Sequence, residues 1–114
     1  PDEWIVYFDE ANNENFFENI FNEISKTNCG SITDVSNQWI CVNIKGNKVF
    51  ELLSAGSPFN FNQFRNNKNA VTQTLLNHID VTLHHKELNM INLFARRSFS
   101  EHLLLWMQDS ARFI

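Results

Sequence analysis

Residues 70–95 read AVTQTLLNHIDVTLHHKELNMINLFA. The stretch divides into three runs rich in β-branched and apolar residues: 70–76, 79–85 and 88–95. Asn77-His78 and Lys86-Glu87 separate them. Connections this short leave no room for a crossover, so the three runs are expected to pair as an antiparallel meander.

Upstream, Trp39 to Ile44 alternates, with Ile40, Val42 and Ile44 on one face and Trp39, Cys41 and Asn43 on the other, as in a strand with one apolar side. Gly46-Asn47 then turns the chain into a short helix carrying Val49, Phe50, Leu52 and Leu53, which Gly56 closes. From Pro58 to Asn69, Phe59, Phe61 and Phe64 stand among asparagines without a regular period, a loop that lays aromatic rings on the core. Downstream, Ser98-Phe99-Ser100-Glu101 has the form of a capping box with Ser98 at the N-cap. Phe99, Leu103, Trp106, Met107 and Phe113 form the apolar stripe of the helix that follows.

At the amino end, Trp4 to Phe8 reads as a strand. Phe16, Phe17, Ile20, Phe21 and Ile24 then recur with helical spacing. Asn12 or Asn13 would cap that helix, and it would end near Asn28-Cys29-Gly30. The order β-α-β-α-β-β-β-α predicts an α+β fold. We expect a single domain over 1–114, a mostly antiparallel sheet with helices on one face, and a ferredoxin-like arrangement with additions.

Composition bounds the rest. With 114 residues, 43% of them hydrophobic, 19% charged, and only three Gly and two Pro, the chain can bury a core of its own and is not a disordered tail. Its richest apolar run, Leu103 to Met107, is closed by Gln108 and Asp109, far short of a membrane span. Pro1-Asp2-Glu3-Trp4 is acidic where a secretion signal would be basic. A net charge of -4 and a pI near 5.5 argue against a nucleic-acid partner. Charge is unevenly placed: seven acids and no Lys or Arg precede Lys26, and nine basic residues stand against six acids from there on. A solvated acidic helix face is the simplest reading, and orientation of a partner the sharper one. Asparagine fills 17 positions, a bias attributable to AT-rich coding sequence. Cys29 and Cys41 fit no metal-ligand spacing and read as reduced thiols.

A catalytic constellation is hard to assemble from these residues. His78, Asp80 and His84 fall on one face of a strand, but at about 3.3 Å per residue the two histidines lie roughly 20 Å apart and cannot share an ion. His85 points to the opposite face, and His102 sits alone near the start of the last helix. Cys41 reads as a packed thiol with nothing to lower its pKa. No G-x-S-x-G, G-x-G-x-x-G or phosphate-loop motif is present. The most notable polar feature is Arg96-Arg97, two adjacent guanidinium groups able to pair bidentately with carboxylates or phosphates, and we take it as a candidate partner interface.

Several segments, in this order and spacing, resemble the gamma subunit of heterotetrameric sarcosine oxidase, itself similar to part of the folate-binding aminomethyltransferase (T-protein) superfamily. The first are Asp34-Val35-Ser36-Asn37-Gln38-Trp39, Ile44-Lys45-Gly46, Leu52-Leu53 and Ser57-Pro58 with Phe59 to Phe61. The run Thr72 to His84 and Arg97-Ser98-Phe99-Ser100-Glu101-His102-Leu103 leading to Trp106 complete the likeness. It spans about residues 31–111, and the first thirty residues add nothing to it. The resemblance implies a T-protein-like fold and a cytoplasmic bacterial complex that oxidatively demethylates an N-methyl amino acid such as sarcosine and passes the one-carbon unit to tetrahydrofolate. This chain would be its non-catalytic member. FAD, FMN, NAD, zinc and tetrahydrofolate would sit on the alpha, beta and delta partner subunits, with alpha as the main contact. The lysine-glycine-cysteine-tyrosine-glycine-glutamine signature of the related iron-sulfur maintenance proteins is absent, and Asn28-Cys29-Gly30-Ser31 does not replace it. A stand-alone folate-binding one-carbon transfer protein and a self-associating interaction module, homo-oligomeric when isolated, are the alternatives.

Overall fold

The alternating runs become a four-stranded sheet: β1 (Trp39–Lys45), β2 (Val71–Leu76), β3 (Ile79–Glu87) and β4 (Met90–Arg96), in the order β1-β4-β3-β2 with every neighbour antiparallel. The computed structural model describes residues 5–8, 15–28 and 30–113. It divides into two compact units, Pro1–Asp34 and Val35–Ile114, and the sheet belongs to the second.

Register places the apolar residues together. Ile44↔Ile91, Val42↔Leu93 and Leu83↔Leu93 are cross-strand partners, and Thr74↔Val81 and Leu76↔Ile79 continue the same face to the far edge. On that face lie two helices, α2 (Val49–Gly56) and α3 (Ser100–Ala111). An isolated helix of only eight residues would be marginal in water. Burial of Val49, Phe50, Leu52 and Leu53 against the sheet supplies the stability that its length cannot. The expected α+β class, with an antiparallel sheet and helices on one face, is therefore observed.

The loop between α2 and β2 is fixed by an imidazole. His85 is 4% exposed on the core face, and its Nδ1 lies 3.0 Å from both the Phe64 and the Asn67 carbonyl oxygens. Carbonyls only accept, so Nδ1 carries the proton and donates to both. The ring stands edge-on to Phe50 at 5.4 Å and stacks on Phe64 at 5.7 Å. Phe59, Phe61 and Phe64 in turn contact one another edge-to-face, as aromatic quadrupoles prefer. The expected aromatic loop is thus part of the core.

Several local expectations are corrected. Ile5–Phe8 forms no strand, and Trp4 lies outside the described residues. A β-prone run becomes a strand only where a neighbour supplies ladder bonds, and the sheet is built from four other segments. The amino-terminal helix, α1 (Phe16–Thr27), has Asn15 at its N-cap and ends, as expected, on Asn28 in the left-handed region; Asn12 and Asn13 lie outside the described residues. The β3–β4 turn falls on Leu88-Asn89, because β3 runs through Lys86 and Glu87 with an irregular register there and Asn89 takes the positive φ the turn needs. Ser98 does not cap α3. The chain enters that helix through a 3-10 turn, Arg97–Phe99, which leaves Phe99 at the N-cap with no side-chain bond. Of the predicted stripe, Leu103 and Met107 are buried and Trp106 half-buried, whereas Phe99 and Phe113 flank the helix and are 45% and 86% exposed.

One turn was legible and carries strain. Asn77 and His78 both have positive φ, 51° and 68°, and the two residues close the hairpin at Leu76↔Ile79, the signature of a type I′ turn. Glycine is favoured at the second position, where a histidine costs about 1–2 kcal/mol. His78→Gly should therefore stabilise the Val35–Ile114 unit by about 0.5–1 kcal/mol after the added chain entropy of glycine is offset. Denaturant melts check this, and a loss of stability would mean that the His78 side chain contributes contacts worth more than the strain.

Gly56 makes a second quantitative point. A Cβ there would lie 2.5 and 2.6 Å from two atoms of the Trp106 ring and 3.2 Å from Leu76. The missing side chain is what lets α3 approach α2. Gly56→Ala gains about 1 kcal/mol of helix propensity but must displace an indole, so we expect a net loss of about 1–2 kcal/mol. In a Trp106→Leu background the same change should be neutral or favourable. A thermodynamic cycle showing additive effects would refute the contact.

Candidate partner interface

The second face of the sheet differs from the first. Its cross-strand partners are Trp39↔Arg96, Cys41↔Phe94, Thr82↔Phe94, Asn43↔Asn92 and His84↔Asn92. Asn43 Nδ2 donates to Asn92 Oδ1 at 2.7 Å, which partners the buried amide of Asn92.

At one corner of this face stands the arginine pair. Arg96 is the last residue of β4, and pairing with Trp39 sets its guanidinium 4.9 Å from the indole centroid. The arrangement is a surface cation–π contact worth about 0.5–1 kcal/mol. Arg97 opens the 3-10 turn, and the turn Ser36–Gln38 lies beside it. Both arginines are exposed. The structure therefore brings Arg96 to Trp39 and leaves Arg97 on the rim, with the half-exposed ring of Phe99 following in the same turn. Tryptophan and arginine are the side chains that most often anchor protein interfaces. Sequence reasoning found the arginines but missed Trp39, although its place at the start of the alternating run opposite the end of the last strand was a readable signal.

The titratable groups scatter. His78 is in the hairpin turn, His84 on the second face and His85 in the core. His102 Nε2 lies 3.0 Å from Asn77 Nδ2 and accepts from that amide. Among the described residues no three His, Cys, Asp or Glu side chains converge to hold a metal ion, and no helix is long and apolar enough to cross a membrane. Cys41, expected as a packed thiol, is exposed on the second face. Its sulfur is still shielded enough that burial pushes the thiol pKa up, against the opposing charge of Lys86. That shift disfavours thiolate, the nucleophilic form. Cys29 lies outside the described residues.

The Val35–Ile114 unit is thus a small α+β fold, a four-stranded antiparallel sheet with two helices on one face and an arginine–tryptophan corner on the other. The chain belongs to the sarcosine oxidase gamma subunit family, whose description matches residues 1–112 and so takes in the amino-terminal segment that had added nothing to the resemblance. Among solved structures it is similar to a chain of the heterotetrameric sarcosine oxidase from Corynebacterium sp. U-96 in complex with pyrrole 2-carboxylate. The TM-score is 0.71 with 20% identity, over 81% of this chain and 49% of that one. The protein thus spans about half the length of the chain it matches. No curated protein matches it.

The second face has a pH consequence. Burial, then the charges of Lys86 and His85, lowers the His84 pKa from its ordinary 6.5. The unfolded chain therefore takes up the proton at higher pH than the native one, and stability falls as pH drops below about 6.5 toward the lowered native value. His84→Gln should flatten this acid-side decline in urea midpoints taken between pH 7 and pH 5. Identical slopes for the two proteins would rule His84 out as a contributor.

Proposed function

We propose that this chain is the gamma-type subunit of a heterotetrameric sarcosine oxidase-like complex that oxidatively demethylates an N-methyl amino acid and transfers the one-carbon unit to tetrahydrofolate. The observation that carries this reading is the family match along residues 1–112. In it the chain contributes no catalytic residue; FAD, FMN, NAD, zinc and tetrahydrofolate are bound by the alpha, beta and delta partners, and alpha is the main contact. The surface chemistry supports an assembled role. Leu104 and Leu105 on α3 are 43% and 59% exposed, and the arginine corner offers charge-assisted contacts beside an aromatic ring.

Arg96 and Arg97 are the residues assigned to the partner contact. A desolvated interface arginine typically costs 2 kcal/mol or more when truncated, about 30-fold in affinity, whereas a wet rim arginine costs little. Co-expression with the alpha, beta and delta subunits of a sarcosine oxidase-like complex, followed by co-purification, tests both levels. The unmodified chain should be retained, and the Arg96→Ala/Arg97→Ala double variant should be largely lost. Retention of the double variant would take the arginines out of the interface, and loss of the unmodified chain would overturn the subunit reading.

A further inference from the structure

The amino-terminal unit carries more exposed apolar surface than so short a segment can hide. Ile5, Val6, Tyr7 and Phe8 are consecutive and are 57%, 57%, 48% and 39% exposed. In α1 the apolar side is formed by Phe16, Phe17, Ile20, Phe21 and Ile24, yet the helix has no buried residue. Phe8 lies against Phe16 with centroids 4.4 Å apart, which joins the two segments. Runs of exposed apolar residues are a solubility liability and are kept where something covers them.

Charge says what kind of surface that is. Every ionisable side chain before Lys26 is acidic, apart from the Tyr7 phenol, and seven carboxylates are gathered there. Lys26 itself pairs with Glu23 at 3.5 Å. Phe17 and Phe21, 6.0 Å apart, line a shallow cleft of about 250 Å³ together with Glu18 and Asn22. Among the described residues Glu18 has no ion pair. A cleft with two aromatic rings on its walls and a carboxylate at its rim suits a side chain with an apolar stem and a cationic head. The stem packs on the rings and the head reaches both a ring face and the carboxylate.

We infer that the amino-terminal unit is a docking arm, which seats Phe17 and Phe21 in an apolar groove of a partner subunit and receives an arginine from the groove's rim beside Glu18. This deepens the subunit reading and rests on it. Juxtaposing two copies of this arm would bring like charges together, a costly arrangement, whereas a basic-rimmed groove is complementary.

The test uses the full chain co-expressed with the oxidase subunits, comparing the unmodified protein with Phe17→Ser/Phe21→Ser and, separately, Glu18→Arg. The aromatic double variant should bind at least tenfold more weakly. Glu18→Arg should weaken binding several-fold and flatten its salt dependence; because Glu18 lies in the first turn of α1, where a cation also opposes the helix dipole, Glu18→Gln is the companion variant and should weaken binding in the same direction without an added positive charge. Far-UV circular dichroism of each variant should keep the helical signal of the unmodified chain, which shows α1 still formed, and amide exchange at Leu83 and Leu93 should stay unchanged, which shows the Val35–Ile114 unit intact. Undiminished binding of all these variants overturns the inference and leaves the subunit reading standing. Failure of the unmodified chain to co-purify overturns both. If the variants abolish self-association of the isolated chain but leave co-purification intact, α1 meets a second copy and the docking arm is refuted.

Discussion

The imidazole of His85 is the pin on which the Val35–Ile114 unit closes. A four-stranded sheet with two short helices leaves part of its core face uncovered, and the loop preceding β2 must fill it. A loop carries backbone carbonyls that cannot be buried unpaired. His85 resolves this conflict by donating from Nδ1 to two of them while its ring packs between Phe50 and Phe64. The cost is visible at the other nitrogen, since Nε2 is buried with no hydrogen-bond partner. An unsatisfied buried polar nitrogen is unfavourable by about 1–3 kcal/mol, less than two orphaned carbonyls and a void the size of an imidazole would cost.

With loop, helices and sheet committed to one core, the remaining surfaces are free to specialise. The second face of the sheet is built from mixed pairs, an asparagine bridge and a tryptophan under an arginine. Both resolved pKa shifts are produced chiefly by burial and favour the neutral form, so Cys41 is a poorer nucleophile and His84 a weaker cation than in water.

Much of this was legible in the sequence where a pattern had only one physical solution. Alternation in Trp39–Ile44 decided which of its side chains share a face, because the side-chain period of a strand is two, and the two-residue separators within 70–95 left only antiparallel pairing for the three runs there. The helix α2 followed from Gly46 and Gly56 as its boundaries. The misreadings arose where two solutions compete. Lys86-Glu87 looked like a turn by polarity, yet turn geometry is decided by which residue tolerates positive φ, and Asn89 does. Ser98-x-x-Glu101 has capping-box spacing, but a 3-10 turn entering the helix moves the first helical residue past it. The outer members of the aromatic stripe were assigned to the core by periodicity, which says nothing about where a helix stops touching its sheet.

Asparagine content, first read as a matter of coding composition, has a structural counterpart. Among the described residues five non-glycine positions have positive φ, and four of them are Asn28, Asn69, Asn77 and Asn89. They end α1, precede β2, and lie in both tight turns of the meander. Of the three glycines, only Gly46 has positive φ; the space left by Gly56 is used for the approach of Trp106. Asparagine is the least penalised L-residue in the left-handed region because its amide can bond locally to the backbone. In this chain it does what glycine does elsewhere, with less chain entropy to lose on folding. The exception is His78, where the turn still demands the left-handed conformation and a side chain bears its strain.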